Sequence, residues 1–350
     1  MFRGDIGRRG QTPFAITRTA PRVVFRHQTG QPIFGSPAVD SQGNVYVGSL
    51  DGTVLALTRT GQLRWQHPLQ RVFSSPAITA ASVLIGSDDD YLVSLDRITG
   101  TTQWRFRLGP CETGPGLGPD TVRCDADSSV LVAPDGAIFV GGDALYALTP
   151  AGKLRWRAEL GGHAFSSPTM APDGTLFIGT QANTVVAIGP DGSRRWEFRT
   201  AGDVDTTAAL ADPSTLVVGA DDGLVYCLAT ADGAVRWTHN TRRPVRSSAA
   251  VYRDTALVGS DSGQLLALAL KDGTVRWRHE AGGPVRSSPT VDPAGVVVFG
   301  SQDGALRALD HEGKVLWTVV LSAQIDSSVA VASDGTLWVG ADDGTLYGLR

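Results

Sequence analysis

The sequence predicts an all-β fold: an eight-bladed β-propeller of four-stranded antiparallel blades, its ring closed by an N-terminal strand that joins the C-terminal blade. Three observations carry that expectation. Tryptophan recurs about every 40 residues, the length of a propeller blade, at Trp65, Trp104, Trp156, Trp196, Trp237, Trp277 and Trp317. A glycine behind an apolar residue recurs with the same spacing, at Gly48, Gly86, Gly141, Gly179, Gly219, Gly259, Gly300 and Gly340, which counts eight units. Between these marks run short alternating apolar segments separated by Gly and Asp turns, and no segment sustains a helical period.

Each unit reads as four strands in order. The first follows a pair of small residues, as in SSPAI, SSPTM, SSAAV, SSPTV and SSVAV. The second ends in the recurrent glycine, as in VYVGS, LFIGT and ALVGS, and a turn such as LDG, DDG or QDG leads to a third, such as TVLAL, LVYCL or QLLAL. A DG or TG turn then opens the fourth, which carries the tryptophan in GQLRW, GAVRW, GTVRW or GKVLW. The Asp-Gly pairs, among them Asp51-Gly52, Asp222-Gly223, Asp303-Gly304 and Asp343-Gly344, are read as turn chemistry. Short antiparallel strands joined in this way favour hairpins over βαβ units.

The chain ends at Arg350, directly after the third strand of its last unit (TLYGLR). Residues 21–27, in PRVVFRH, form a fourth-type strand with Phe25 in the tryptophan position and no three strands before it. Joining the two halves leaves no open edge. The expected organisation is therefore an N-terminal extension over 1–20 and one propeller over 21–350, with 21–27 as the outer strand of the last blade.

Net charge is −4 and 42% of residues are hydrophobic, with 42 Gly and 19 Pro among 350 residues. No Lys/Arg cluster argues for nucleic acid, and no run of about 18 apolar residues argues for a membrane span. The opening MFRGDIGRRGQTPF carries basic residues without an apolar core, so a secretory signal is expected to be absent or removed.

Candidate binding residues come from one position of the repeat. The residues immediately before the small pairs are Phe34, Phe73, Asp127, Phe165, Asp205, Arg246, Arg286 and Asp326. Their own predecessors, Ile33, Val72, Ala126, Ala164, Val204, Val245, Val285 and Ile325, are apolar in every unit. That contrast predicts that the apolar position packs between blades while its variable neighbour projects toward the funnel or its rim. Arg246 and Arg286 could hold a carboxylate, phosphate or sulfate by charge-assisted hydrogen bonds, or could pair with Asp205 and Asp326 beside them. Phe34, Phe73 and Phe165 would offer apolar and stacking surface.

Asp125, Asp127, His163, Asp203 and Asp205 fall on three consecutive blades. A histidine among carboxylates could bind a divalent metal or perform acid/base chemistry, and solvated loops account for the same letters. The insertion GPCETGPGLGPDTVRC lengthens the connection between the second and third blades, making 109–126 an expected top-face loop. A disulfide between Cys111 and Cys124 would restrain it and would fit an oxidising, periplasmic or extracellular compartment, with the cytoplasm still open. Cys227 in LVYCL reads as a buried packing residue. His27, His67, His239 and His279 lie on outer strands of different blades and cannot readily converge on one metal.

The phrases SSPAI, VYVGS, TVLAL and GQLRW resemble the pyrroloquinoline-quinone-type propeller repeat over nearly the whole chain, and MFRGDIGRRG is similar to the segment that often precedes the first blade in secreted members. That family includes quinoprotein dehydrogenases, BamB-like outer-membrane assembly lipoproteins and binding or sensory domains, so the resemblance implies a fold before a function. Quinoprotein enzymes carry adjacent cysteines and a calcium site, and no two cysteines are adjacent here, so a quinone cofactor is not expected. The BamB-like class fits the size and blade count, although a lipid anchor would need an N-terminal cysteine.

The leading expectation is a monomeric binding or scaffold module that recognises a peptide, a protein segment or a small anionic ligand at the top-face funnel. The alternative is an enzyme using the Asp/His cluster.

Overall fold

The computed structural model describes residues 4–109, 126–321 and 323–350. These residues form eight four-stranded antiparallel sheets, one per sequence unit, in the order predicted. Blade 1, for example, comprises Ala38–Val39, Val45–Gly48, Thr53–Leu57 and Leu63–Pro68. The strand Val23–Gln28 completes blade 8 by pairing antiparallel with Thr345–Leu349. Arg22 and Arg350 exchange backbone hydrogen bonds of 2.8 and 2.9 Å there, and Phe25 packs on Trp338 with ring centroids 5.5 Å apart.

Burial follows position in the blade. Second strands such as Val45–Gly48 are buried at every residue, because a neighbouring blade covers each face of the sheet. Fourth strands such as Arg194–Arg199 alternate between exposed and half-buried, as outer edges do. The apolar clusters accordingly join neighbouring blades: Val217, Val225 and Cys227 of blade 5 pack with Val245, Val258 and Leu266 of blade 6. Cys227 is fully buried, and burial pushes its thiol up to about 11.

Two recurrent residues fix the blade spacing. A methyl group at Gly219 would lie 2.2 Å from Val245 Cγ1 of the next blade, so only glycine admits the close approach. The same holds for Gly48 against Val72 and for Gly340 against Ile33, each at 2.2 Å, so the apolar position does pack between blades. Each tryptophan reaches the other way, over the turn between third and fourth strands of the following blade. Trp196 Nε1 donates to the Thr230 carbonyl (2.8 Å) and Trp237 Nε1 to that of Leu270 (2.8 Å). In blade 8 this turn is replaced by the seam between Thr345–Leu349 and Val23–Gln28, and Trp317 Nε1 donates instead to the Thr17 carbonyl (2.8 Å).

First strands run from the top of the ring to the bottom. Turns between second and third strands, with the connections between blades, form the top. The bottom holds a segment that sequence reasoning left without structure. Residues 6–12 cross the bottom mouth of the channel, where the N–H groups of Met170, Leu210, Val251 and Val291 donate to the carbonyls of Ile6, Gly7, Arg9 and Gly10 at 2.9, 2.8, 2.8 and 2.9 Å. Arg8 is fully buried beneath them, donating to the carbonyls of Pro168, Ser129 and Val130. No helix among the described residues is long and apolar enough to cross a membrane.

Candidate site on the top rim

The small-residue pairs that open the first strands build the ring beneath the rim. In each pair the second residue donates its backbone N–H to the side-chain oxygen of the equivalent residue one blade on. The series runs from Ser36 through Ser75, Ser129, Ser167, Thr207, Ser248 and Ser288 to Ser328, which donates to Ser36 and closes it. Its eight bonds span 2.9 to 3.2 Å. The first residue works within its own blade: Ser74, Ser128, Ser166, Thr206, Ser247 and Ser327 each accept the N–H of the recurrent glycine. Serine and threonine recur here because one short side chain supplies an acceptor where a β-strand leaves a donor turned toward its neighbour.

One residue earlier lies the rim. Val245 N–H donates to the Ala220 carbonyl and Val285 N–H to that of Ser260, which sets each rim residue against the second-to-third-strand turn of the preceding blade. Arg246 and Arg286 are fixed there. Arg246 binds Asp221 through Nε (3.1 Å) and Nη2 (2.8 Å), and Arg286 binds Asp261 in the same way at 3.0 and 2.9 Å. Of the two roles the sequence left open, neither partner named there is the one found: the bidentate carboxylates are Asp221 and Asp261, and not Asp205 or Asp326. The latter two face amides. Gln302 Nε2 donates to both oxygens of Asp326 at 3.0 Å, and Gln181 donates to Asp205.

Carboxylates outnumber guanidiniums on this arc, and their proton affinities respond. Burial, with Asp221 and Asp203 nearby, pushes Asp205 up to about 6. Burial also raises Asp326, against the lowering influence of Gln302 and Arg286. Asp342, in the corresponding turn of blade 8, is pushed up to about 7 by burial and by the charges of Asp326 and Asp343. One oxygen of Asp205 and one of Asp342 are buried with no hydrogen-bond partner among the described residues.

The opposite arc is apolar. Phe34 and Phe73, on adjacent blades, stack with centroids 6.0 Å apart and planes at 23°. Phe165 is half-buried on blade 4, separated from them by blade 3, whose rim residue is Asp127. His163 and Asp203 accept, through their carbonyls, the N–H groups of Gln181 and Asp221, so their backbones anchor the same turns. Asp125, Cys111 and Cys124 lie outside the described residues, as does all of the 109–126 loop except its two ends. Among the described residues no three His, Cys, Asp or Glu side chains converge as a metal ion would require.

Sequence reasoning missed the turn residues Asp221, Asp261, Gln181, Gln302 and Asp342. A signal was present: Arg246 and Arg286 each follow their partner by the same interval, 25 residues. Pyrroloquinoline quinone, a planar tricarboxylate, does not fit this rim. Both arginines are already held by carboxylates.

A family model described as outer membrane protein assembly factor BamB matches residues 15–140, 99–221 and 221–350. No curated protein sequence matches. Among solved structures, BamB from Moraxella catarrhalis superposes with a TM-score of 0.72 at 17% identity, covering 94% of this chain and 99% of that one. A europium-containing methanol dehydrogenase gives 0.77 at 16% identity, over 100% and 97% of the two chains. Quinohemoprotein alcohol dehydrogenase from Comamonas testosteroni gives 0.80 at 13% identity, over 99% and 79%. Identities this low establish the fold, and the fold alone is shared by an assembly factor and by enzymes.

Proposed function

The chain belongs to the family described as outer membrane protein assembly factor BamB, and from that premise we propose that it is a binding propeller that docks a segment of another protein on its top rim. The observation that carries this reading is the contrast within one phrase of the repeat. The hydroxyl ring is kept in every blade, whereas the rim position one residue before its small-residue pairs carries three Phe, two Arg and three Asp. A rim with an aromatic face and a charged face suits a protein segment, with Phe34 and Phe73 as the apolar anchor.

The ligand chemistry narrows as well. An anion would have to displace Asp221 or Asp261 from an arginine fork, and carboxylates outnumber guanidiniums along this arc. The rim therefore favours a segment that combines aromatic or aliphatic residues with lysine or arginine. A periplasmic or extracellular position belongs to the same proposal and is supported by the family.

Two labelled peptides of equal length test it, one apolar and basic, the other apolar and acidic, titrated by fluorescence anisotropy. We expect the basic peptide to bind, and the double variant Phe34→Ser/Phe73→Ser to weaken it about thirtyfold, the effect of an aromatic anchor worth about 2 kcal/mol. Preference for the acidic peptide would restore the arginines as anion holders. Binding of neither would overturn the rim as a site.

A further inference from the structure

The closed ring still leaves the outer strand of every blade as a sheet edge. The outer strand of blade 7, Val315–Val320, pairs on its inner side with Ala305–Leu309. Leu321 N–H donates to the Gly304 carbonyl at 2.7 Å, so by the alternation of an antiparallel ladder Val319 also bonds inward. Thr318 and Val320 therefore turn their N–H and carbonyl groups outward, and no strand among the described residues pairs with them. Past Val320 the chain leaves the edge, since Leu321 and Ala323 both lie against Gly304.

These outward positions stand one and three residues after the tryptophan, or after Phe25 in blade 8. An unpaired edge invites strand addition, and charge or proline opposes it. Blades 2, 3, 4, 6 and 8 place at least one arginine at the two positions, as with Arg107 and Arg199; blade 1 places Pro68, and blade 5 places Asn240, a residue disfavoured in strands. Blade 7 has no such guard. Its strand, VLWTVV, is the one outer strand of the eight without an arginine, and Val320 is 74% exposed, more than any other large hydrophobic residue among the described ones.

We propose that this edge pairs with the same edge of a second copy of the chain, joining the two blades 7 into one antiparallel eight-stranded sheet. The two-fold passes through Val319, so that Thr318 of each copy exchanges backbone hydrogen bonds with Val320 of the other. Charge selects this occupant. Any other outer strand of the chain would bring an arginine into the seam, whereas VLWTVV against itself brings none. The flank is complementary as well. An axis normal to the sheet keeps both blades 6 on one side of the seam, where Arg278 and Glu280 hold the positions equivalent to Thr318 and Val320. The register that sets Thr318 opposite Val320 thus turns Arg278 of each copy toward Glu280 of the other. With the remaining edges guarded, the contact is isologous and assembly stops at two. The edge lies on the circumference and is independent of the top rim; it replaces the monomer expected from sequence with a weak dimer, since one strand pair buries less than a standard interface.

The test is sedimentation velocity on the full chain from about 1 µM to about 0.5 mM. A monomer–dimer equilibrium with a dissociation constant on the order of 10 µM is expected, weak because little area is buried. Val320→Lys supplies the missing guard at an exposed position and should raise that constant at least about tenfold, while Val24→Lys, at the exposed valine of the next outer strand, should leave it unchanged. Amide exchange at Thr318 and Val320, read by NMR on the unaltered protein, should slow about threefold between about 0.05 and about 0.5 mM as the monomer fraction falls; this reading stands whether or not the variants fold. A single monomeric species up to about 0.5 mM would overturn the second copy as occupant and leave the edge to a strand of another protein. A dimer that survives Val320→Lys, that Val24→Lys weakens equally, or that leaves exchange at Thr318 and Val320 independent of concentration would place the contact elsewhere and overturn the proposal.

Discussion

Arg246 and Ser248 are two residues apart, yet the molecule treats them by different rules. Ser248 belongs to a closed ring in which its oxygen is the acceptor for Thr207 and its N–H needs the oxygen of Ser288, so its chemistry is dictated by two neighbours. Arg246 is bound on one side, to Asp221, and open to solvent on the other, with 42% of its side chain exposed. The difference teaches that repetition in this sequence records closure around the ring, whereas variation records what each blade shows to the outside.

Breaking the ring should cost most. Ser248→Ala leaves the buried Thr207 N–H without its acceptor, which costs about 1–3 kcal/mol. A lower urea midpoint with an unchanged slope is the expected result, and a midpoint equal to the parent's would mean that water replaces the hydroxyl.

Titrating the rim comes next. Asp342 has a folded-state value near 7 against 3.8 for the free side chain, so the folded protein binds this proton more readily than the unfolded chain. Its stabilising effect is complete below 3.8 and is lost as pH rises through about 7. Asp205, with a value of about 6, adds in the same direction. Thermal stability should therefore increase as pH falls from about 8 to about 5. Below that window the sign reverses, because Asp173, lowered to about 2, and Asp303, lowered further, lose favourable charged forms. Asp342→Asn should flatten the upper part of the curve and raise the melting temperature at pH 8 by about 2 °C, a shift of the size that about 1 kcal/mol gives in a large domain. An unchanged pH profile in that variant would assign the effect to other groups.

The smallest effect is expected where variation is greatest. Arg246→Ala removes an exposed ion pair, a loss of about 0–1 kcal/mol. A melting temperature within about 2 °C of the parent's would keep the rim free to diverge. A large loss would mean that the arginine fork secures blade 6 to blade 5.

Blade count, strand order and ring closure were legible because each leaves a periodic trace. Tryptophan needs a turn to cover, glycine marks a contact that tolerates no Cβ, and Phe25 occupies a tryptophan position at the wrong end of the chain. The rim position was legible for the converse reason, as the one variable residue between an apolar position and a hydroxyl pair. Its partners were not. Asp221 and Asp261 sit in turns where aspartate is common for local reasons, and Asp222 beside them does cap its own turn, donating nothing to the rim and accepting from Leu224 and Ala201. The crossing of residues 6–12 was illegible because the bonds that hold it come from other blades and involve its backbone. DIGRRG carries no apolar alternation to announce a strand, and nothing local marks Arg8 as a residue to be buried.

The bottom face collects more than that segment. Third strands descend and first strands end there, so Arg350 and Gly4 both lie on the side opposite the rim, Gly4 on the wall of the bottom cavity and Arg350 beside Asp334. For anyone immobilising or tagging the protein the two ends are unequal handles. Arg350 stands beside Asp334, away from that wall, whereas a group attached at Gly4 would sit on the lower mouth itself and leave only the rim to be assayed.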